Sequence, residues 1–273
     1  MTSTSAAPAS PDALAGGPRV APTLGRGIAV AVLYAAIFFV AALISGVDYD
    51  KLSQSSSNVL GFVVIPVGLG IIGTLALTAR WGWWHQLFHE ERTISWPRWR
   101  WAIPALLAMS IIVTLAVAPW SDWNAGLILL ILAGTLMVGF GEEIVFRGYL
   151  LVGARARYSE TGAWFLTSAL FGLFHGLNVI LGQGVALTVR QIGAAFLIGS
   201  ALYLVRRISG LLIVGMLIHG LWDFSTFIGG GRGEDTTGIP KTVVAAPFTY
   251  GVILLTIIVL FGLFRRGKDS APA

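Results

Sequence analysis

The strongest constraint in this sequence is a series of apolar runs, each long enough to cross a lipid bilayer. A membrane-spanning helix needs about 20 consecutive apolar residues. Only 11% of the 273 residues are charged, whereas soluble domains carry roughly 25%, so a soluble enzyme, a nucleic-acid-binding module and a fully disordered chain are excluded. The sequence therefore predicts an all-α, polytopic membrane protein with about eight transmembrane helices, at about 27–46, 58–79, 101–119, 124–150, 162–181, 185–205, 208–228 and 246–264.

The two ends of the chain are polar and lie outside this helical domain. Residues 1–25 are mostly Ala, Pro, Ser, Gly and Thr, a composition that predicts a disordered cytoplasmic tail. They do not have the pattern of a signal peptide, so the first apolar run is expected to be a retained helix. The predicted transmembrane domain covers residues 26–266, and residues 267–273 form a short C-terminal tail. With no cysteine in the chain, disulfides, thiolate metal ligands and a cysteine nucleophile are excluded.

The basic residues give the predicted helices an orientation. If the N-terminus is cytoplasmic, the inside segments carry 13 of the 18 Lys and Arg residues and the outside loops carry 3. This asymmetry is typical of the positive-inside rule and supports eight crossings with both termini in the cytoplasm. The Ala- and Gly-rich tail and the lack of an organelle targeting signal favour a bacterial plasma membrane.

Three of the apolar runs contain ionisable residues, which are costly within a bilayer. Each such group costs roughly 2.5–3.5 kcal/mol at the membrane centre on insertion scales. A shared polar site is therefore the first explanation for several of them in one chain. The fourth run contains Glu142, Glu143 and Arg147, the fifth contains His175, and the seventh contains His219 and Asp223.

These residues are predicted to lie at one level of the membrane. Counted from the cytoplasmic ends of their helices near residues 152, 161 and 208, Glu142 lies 10 residues in, His175 lies 14 and His219 lies 11. At a rise of about 1.5 Å per residue, the three side chains are roughly 15–21 Å deep. Groups from three helices can then converge on one pocket.

Helical spacing separates the predicted roles. Adjacent residues point about 100° apart on a helix, so Glu142 and Glu143 are not expected to face the same small site. Glu143 and Arg147 are four residues apart in the favourable order for an ion pair, which predicts a structural clasp and leaves Glu142 as the free carboxylate. Asp223 lies four residues after His219 and is expected to fix the tautomer of that ring.

Other polar residues are predicted to have no catalytic or metal-binding role. His85 and His89 are four residues apart, but the order is not H-E-x-x-H. A tryptophan-rich segment at headgroup level is therefore favoured over a metal site there. Arg190 and Gln191 lie close to the start of the sixth run, where extension of a polar side chain to the membrane surface explains them.

The polar residues resemble the signature of the CAAX-processing and bacteriocin-processing (CPBP, or Abi) family of intramembrane endopeptidases. That signature has three motifs in order on separate membrane helices: E-E-x-x-x-R, F-x-x-x-H and H-x-x-x-D or N. They are matched here by Glu142 to Arg147, Phe171 to His175 and His219 to Asp223. The resemblance covers about residues 124–228.

The resemblance implies hydrolysis of a peptide bond inside the membrane. It assigns water activation to Glu142 and His175, and oxyanion stabilisation to His219 and Asp223. An ionised Asp cannot donate a hydrogen bond, so Asp223 is expected to orient His219 or to be protonated. The implied substrate is a membrane-associated peptide or lipidated protein, such as a prenylated CAAX-type protein or a bacteriocin precursor, and no nucleic-acid partner is expected.

Metal-free glutamate catalysis without a cofactor is favoured, with zinc as the alternative. Glu142, His175 and His219 are adequate zinc ligands with an open position, but no contiguous zinc motif is present. Two other functions use similar residues. A proton-coupled transporter also places Glu, His and Asp within the membrane, although no repeated halves are visible. A non-catalytic peptide-binding or immunity protein could hold a peptide in the same pocket.

Overall fold

The computed structural model describes residues 17–94, 98–230 and 241–269, with side chains of the last helix described for 245–265. Residues 1–16 of the predicted N-terminal tail and residues 270–273 of the C-terminal tail lie outside the described residues. The described part of the chain is helical and contains no β-strand, so the predicted all-α membrane fold is confirmed. The helices are α1 (Leu24–Ser45), α2 (Ser56–Trp81), α3 (Trp84–Phe88), α4 (Ala102–Ala116), α5 (Ala125–Arg155), α6 (Glu160–Phe174), α7 (Val185–Ser209), α8 (Leu212–Gly230) and α9 (Lys241–Asp269).

Seven segments of the described chain, rather than the predicted eight, are helices long and apolar enough to span a membrane. The fifth predicted run, 162–181, differs because α6 has only 15 residues and continues as a five-residue 3-10 segment, His175–Val179. Glycine and asparagine in this segment have low helix propensity, which favours the change of backbone there. Together the two segments reach the length of about 20 residues that a crossing needs. The seven spans are α1, α2, Arg98–Ala116, α5, α7, α8 and Ala245–Arg265 within α9.

The chain packs against the helices before α1 begins. The backbone N–H of Arg19 donates to the carbonyl of Trp81 at 2.9 Å. The indole of the fully buried Trp83 donates to the carbonyl of Val20 at 2.7 Å. Thr23 then caps α1 by accepting a hydrogen bond from the backbone of Arg26. Arg19 and Val20, which belong to the predicted tail, therefore contact the end of α2 and the residues that follow it.

The most deeply buried part of the chain is the second half of α5. Every residue from 141 to 150 is buried, including the charged side chains Glu142, Glu143 and Arg147. The helix changes from α to π geometry immediately after Glu143, over Ile144–Leu150, and returns to α geometry at Leu151. Such π segments in α-helices are frequent at functional sites. The charged groups thus lie on the central helix, at its one irregular segment.

Close packing of α5 and α8 brings the polar residues of these two helices side by side. Gly220 of α8 lies against the backbone of α5, where an added Cβ would be 2.8 Å from both the Cα of Leu136 and the carbonyl oxygen of Thr135. Small residues allow membrane helices to approach at this distance. Because His219 directly precedes Gly220, the same contact places the imidazole against the charged end of α5.

We expect Gly220→Ala to destabilise the protein by about 1–3 kcal/mol, since an added methyl group at a tight contact forces the backbones apart. Thermal unfolding of the purified protein in detergent measures the effect. Gly262→Ala in α9 is the matched control, because nothing lies within 4 Å of the added Cβ there. Equal unfolding temperatures for the two variants would show that the α5–α8 contact is not tight.

A buried ionic network closes one end of the bundle. Glu90, in the loop after α3, forms ion pairs with Arg155 and Arg206 at 2.9 Å each. Arg155 also pairs with Glu160 at the start of α6 at 2.6 Å, and Glu160 accepts a hydrogen bond from Tyr203 of α7 at 2.7 Å. The network joins α5, α6 and α7 to the α3 loop on the side where the basic residues concentrate.

Candidate active site

Glu142 presents a carboxylate to a cavity inside the bundle. The cavity has a volume of about 210 Å³, and Glu142, His175 and Asp223 line it together. The Glu142 side chain is almost completely buried, and its Oε2 has no hydrogen-bonding partner among the described residues. An unpaired carboxylate oxygen in a buried cavity is an unusual and costly arrangement. The Glu142 carboxylate is therefore a candidate acceptor for a water molecule or a ligand in the cavity.

His175 lines the cavity from the opposite helix, with one ring nitrogen fixed. It is the first residue of the 3-10 segment, and its backbone N–H donates to the carbonyls of Gly172 and Leu173. This leaves the carbonyl of Phe171 for the imidazole Nδ1, at 2.9 Å. Since a carbonyl only accepts, Nδ1 carries the hydrogen, and in the neutral ring Nε2 is then an acceptor. The change from α to 3-10 geometry therefore sets the tautomer of His175.

His219 lies among three carboxylates. Its Nδ1 is 3.0 Å from Oε1 of Glu143, which is a hydrogen bond. Its Nε2 is 3.8 Å from Oε2 of Glu142 and 3.6 Å from Oδ2 of Asp223, both longer than a hydrogen bond. The group that fixes the orientation of His219 is thus Glu143 rather than Asp223, which differs from the sequence-based expectation. The reason is that Glu143 approaches from α5, and spacing along α8 alone cannot reveal that contact.

Glu143 and Arg147 form the predicted ion pair, at 2.7 Å between Oε1 and Nη1. Both side chains are buried, with 0% and 1% of their surface exposed. The same Oε1 accepts the hydrogen bond from His219, so the clasp within α5 also holds α8. Glu143 lies behind His219 and does not line the cavity, whereas Glu142 does.

Phe171 gives the middle motif a structural role. Its ring centroid is 4.0 Å from the guanidinium carbon of Arg147, a cation–π contact. The same ring meets His175 edge-on at 5.0 Å and His219 edge-on at 5.7 Å between centroids. Phe171 therefore packs between both imidazoles and the buried arginine, and it holds the three motifs at fixed distances.

The cavity has a polar wall that sequence reasoning missed. The side chain of Asn178 donates to Oε1 of Gln191 at 3.0 Å, and Nε2 of Gln191 donates to the hydroxyl of Tyr49 at 3.2 Å. All three line the cavity, so the interpretation of Gln191 as a residue that extends to the membrane surface is wrong. Burial raises the pKa of Tyr49 to about 12, which keeps its hydroxyl neutral. The available signal was Asn178, three residues after His175 and on the same helical face.

Metal-ligating geometry is absent from the described part of the chain. No group of three or more His, Asp or Glu side chains is placed to hold a metal ion there. His85 and His89 are exposed and stack their rings at 4.8 Å without a third candidate ligand nearby.

One comparison with known proteins matches the segment that contains the site. Residues 123–225 match the family model described as type II CAAX prenyl endopeptidase Rce1-like. The match nearly coincides with the segment 124–228 inferred from the three motifs, and it confirms the resemblance over these residues. A comparison with curated proteins returns no match.

Proposed function

We propose, from the Rce1-like character of residues 123–225, that this chain is an intramembrane endopeptidase that cleaves membrane-associated, lipidated peptides. The observation that carries the proposal is the unpaired Oε2 of Glu142 in a cavity that it shares with His175 and Asp223. A buried carboxylate oxygen without a hydrogen bond is costly to the fold, and the carboxylate can accept a proton from a bound water molecule. His219 lies 3.8 Å from Glu142, and His175 lines the same cavity.

The proposed reaction begins with a water molecule between Glu142 and His175. The carboxylate of Glu142 takes one proton from the water, and the acceptor Nε2 of His175 accepts a hydrogen bond from the same water molecule. The resulting hydroxide adds to the carbonyl carbon of the scissile bond. As the carbon–nitrogen bond breaks, Glu142 returns the proton to the leaving nitrogen, which gives a new carboxyl end and a new amino end.

The oxyanion of the intermediate is proposed to face Nε2 of His219. Because Nδ1 of this ring donates to Glu143, Nε2 carries a hydrogen only in the imidazolium form. Asp223, at 3.6 Å from Nε2, is the neighbouring group that can supply this second proton, because Glu142 must be ionised to act as the base. Asp223 would thus act through His219, and a donor in a poorly solvated site stabilises a developing oxyanion strongly.

The cavity walls suit an extended peptide with an apolar side chain. Aromatic residues from three helices, Phe38, Phe62 and Phe227, line the cavity together with the amide groups of Asn178 and Gln191. Apolar walls with a few convergent polar groups are typical of ligand sites. We therefore propose a substrate peptide anchored to the bilayer by a lipid, either prenylated near its C-terminus or a bacteriocin-like precursor.

A panel of synthetic peptides tests this function directly. The purified protein is reconstituted in vesicles and incubated with prenylated, acylated and unmodified peptides in water enriched in oxygen-18. Cleavage with one heavy oxygen in the new carboxyl end, and a preference for lipidated peptides, is the expected result by mass spectrometry. Proton or solute flux across the vesicles without any cleaved peptide would instead support transport.

Metal removal separates the two proposed mechanisms. We expect dialysis against a strong chelator to leave cleavage unchanged, because Glu142 and His175 supply the proton acceptor and the ring nitrogen without a metal. Metal content by mass spectrometry is measured on the same sample, so that activity and zinc are compared directly. A stoichiometric zinc whose removal ends cleavage, and whose return restores it, would favour the zinc mechanism.

A further inference from the structure

A second and larger cavity lies on the outside of the bundle, as a groove between α6, α7 and α9. Its volume is about 1270 Å³, larger than the roughly 300–1,000 Å³ of pockets that hold drug-sized ligands. Its walls are apolar and aromatic, with Trp164 from α6, Phe196 from α7 and Phe261 and Phe264 from α9. None of the proposed catalytic side chains lines it. The groove is therefore distinct from the candidate active site.

The groove has the length of one leaflet of a bilayer. Along α7 its lining extends from Phe196 to Arg207, and along α9 it extends from Thr256 to Arg265. At about 1.5 Å per residue these stretches measure roughly 14–16 Å, half of the about 30 Å hydrocarbon core. An acyl chain from one leaflet would run along the groove from its charged end to its apolar end.

The charged end of the groove has a surplus of positive charge. Its charged lining residues are Arg92, Arg207, Arg265 and Glu160, three arginines against one carboxylate. Glu160 is already bound by Arg155 at 2.6 Å as well as by Arg92 at 2.6 Å. Arg265 is exposed and makes no ion pair within the part of the chain that the structure describes.

Contacts within the protein hold Arg92 and Arg207 in place, Arg92 through its ion pair with Glu160. Nε of Arg207 donates to the carbonyl of Arg92 at 2.7 Å, and its Nη1 donates to the hydroxyl of Tyr203 at 3.0 Å. These contacts fix the Arg207 guanidinium at the mouth of the groove, where its Nη1 also lies 3.7 Å from Oε1 of Glu160, the carboxylate that it shares with Arg92 and Arg155. Prearranged guanidinium groups suit phosphate oxygens, since they donate in a planar and bidentate manner.

We propose that this groove binds an anionic phospholipid of the surrounding bilayer, with its phosphate at Arg92, Arg207 and Arg265 and one acyl chain along α7 and α9. Basic pockets between membrane helices on the cytoplasmic side bind acidic headgroups, and the distribution of basic residues assigns this end of the bundle to that side. The lipid would join the helix pair α6–α7 to α9 at a site remote from the proposed chemistry.

Native mass spectrometry of the detergent-purified protein, titrated with phosphatidylglycerol or phosphatidylcholine of identical acyl chains, tests the proposal. We expect tighter binding of phosphatidylglycerol, and about a fivefold weaker phosphatidylglycerol complex for Arg265→Gln, which corresponds to ~1 kcal/mol for one arginine near an anionic headgroup. Arg80→Gln is the charge control, because Arg80 is exposed at the end of α2 and does not line the groove. Equal binding of both lipids, or an equal loss in Arg80→Gln, would overturn the proposal.

A second pair of variants tests the acyl-chain path. Ile257 lines the groove and its neighbour Ile258 does not, although 42% and 49% of their side chains are exposed. Ile257→Trp should block the groove and weaken phosphatidylglycerol binding, whereas Ile258→Trp should not. If Ile257→Trp binds phosphatidylglycerol normally but loses cleavage of lipidated peptides, the groove serves the substrate and the phospholipid proposal is wrong. The binding readout needs no catalysis, so it can fail or succeed independently of the proposed protease activity.

Discussion

Glu142→Gln should lower the rate of peptide cleavage by roughly 10²–10⁴-fold, the usual contribution of a general base. Glutamine has the shape of glutamate but cannot take a proton from water. The fold should be unaffected, because Oε2 of Glu142 makes no hydrogen bond with the described residues and its nearest ion-pair partner, His219, is 3.8 Å away. Cleavage of the best lipidated substrate of the peptide panel is measured together with the unfolding temperature of the same sample.

Thr226→Val is the matched control for this substitution. Thr226 lines the same cavity, and its hydroxyl donates to the carbonyl of Trp222 at 3.0 Å rather than to a described signature residue. Valine keeps the branched shape, so cleavage should change little. If Glu142→Gln retained more than about a tenth of the wild-type rate, the loss would be much smaller than the roughly 10²–10⁴-fold contribution of a general base. Glu142 would then not be the base, and a binding function without chemistry would become the better explanation.

Arg147→Met should destabilise the protein by about 3–5 kcal/mol, since removal of one partner from a buried ion pair leaves the other charge without compensation. Arg147 and Glu143 are 2.7 Å apart with at most 1% of either side chain exposed. Methionine retains the apolar bulk over Phe171, so the lost charge accounts for most of the effect. Chemical or thermal unfolding in detergent gives the size of the loss.

Arg80→Met provides the comparison for an arginine outside the core. Arg80 is exposed at the end of α2, where substitutions usually change stability by less than about 0.5 kcal/mol. Similar unfolding for the two variants would contradict the structural role of the Glu143–Arg147 pair. Loss of cleavage without loss of stability in Arg147→Met would instead place the arginine in the chemistry of the site.

Several features of the site follow from the sequence because they depend on position along single helices. The cost of ionisable groups in lipid marks Glu142, His175 and His219, and counting residues places them at one depth. The i,i+4 spacing of Glu143 and Arg147 predicts their ion pair, which the structure forms. In each case the helix itself supplies the geometry.

Features that depend on contacts between helices were not predictable in this way. The hydrogen bond from His219 to Glu143 exists because Gly220 allows α8 to approach α5 closely. The place of Gln191 in the cavity wall depends on its contacts with Asn178 and Tyr49 from other segments. Apolar length alone also cannot reveal where an α-helix changes to 3-10 geometry, so an eighth long helix was predicted.

The shared oxygen of Glu143 has a consequence for the order of events during biosynthesis. Oε1 of Glu143 accepts from Arg147 within α5 and from His219 of α8, which lies 76 residues later in the chain. When α5 and α6 have left the ribosome, Glu143 and His175 have therefore been made, but His219 has not. We therefore expect the three motifs to reach their final arrangement only after α8 has been inserted and has docked against α5.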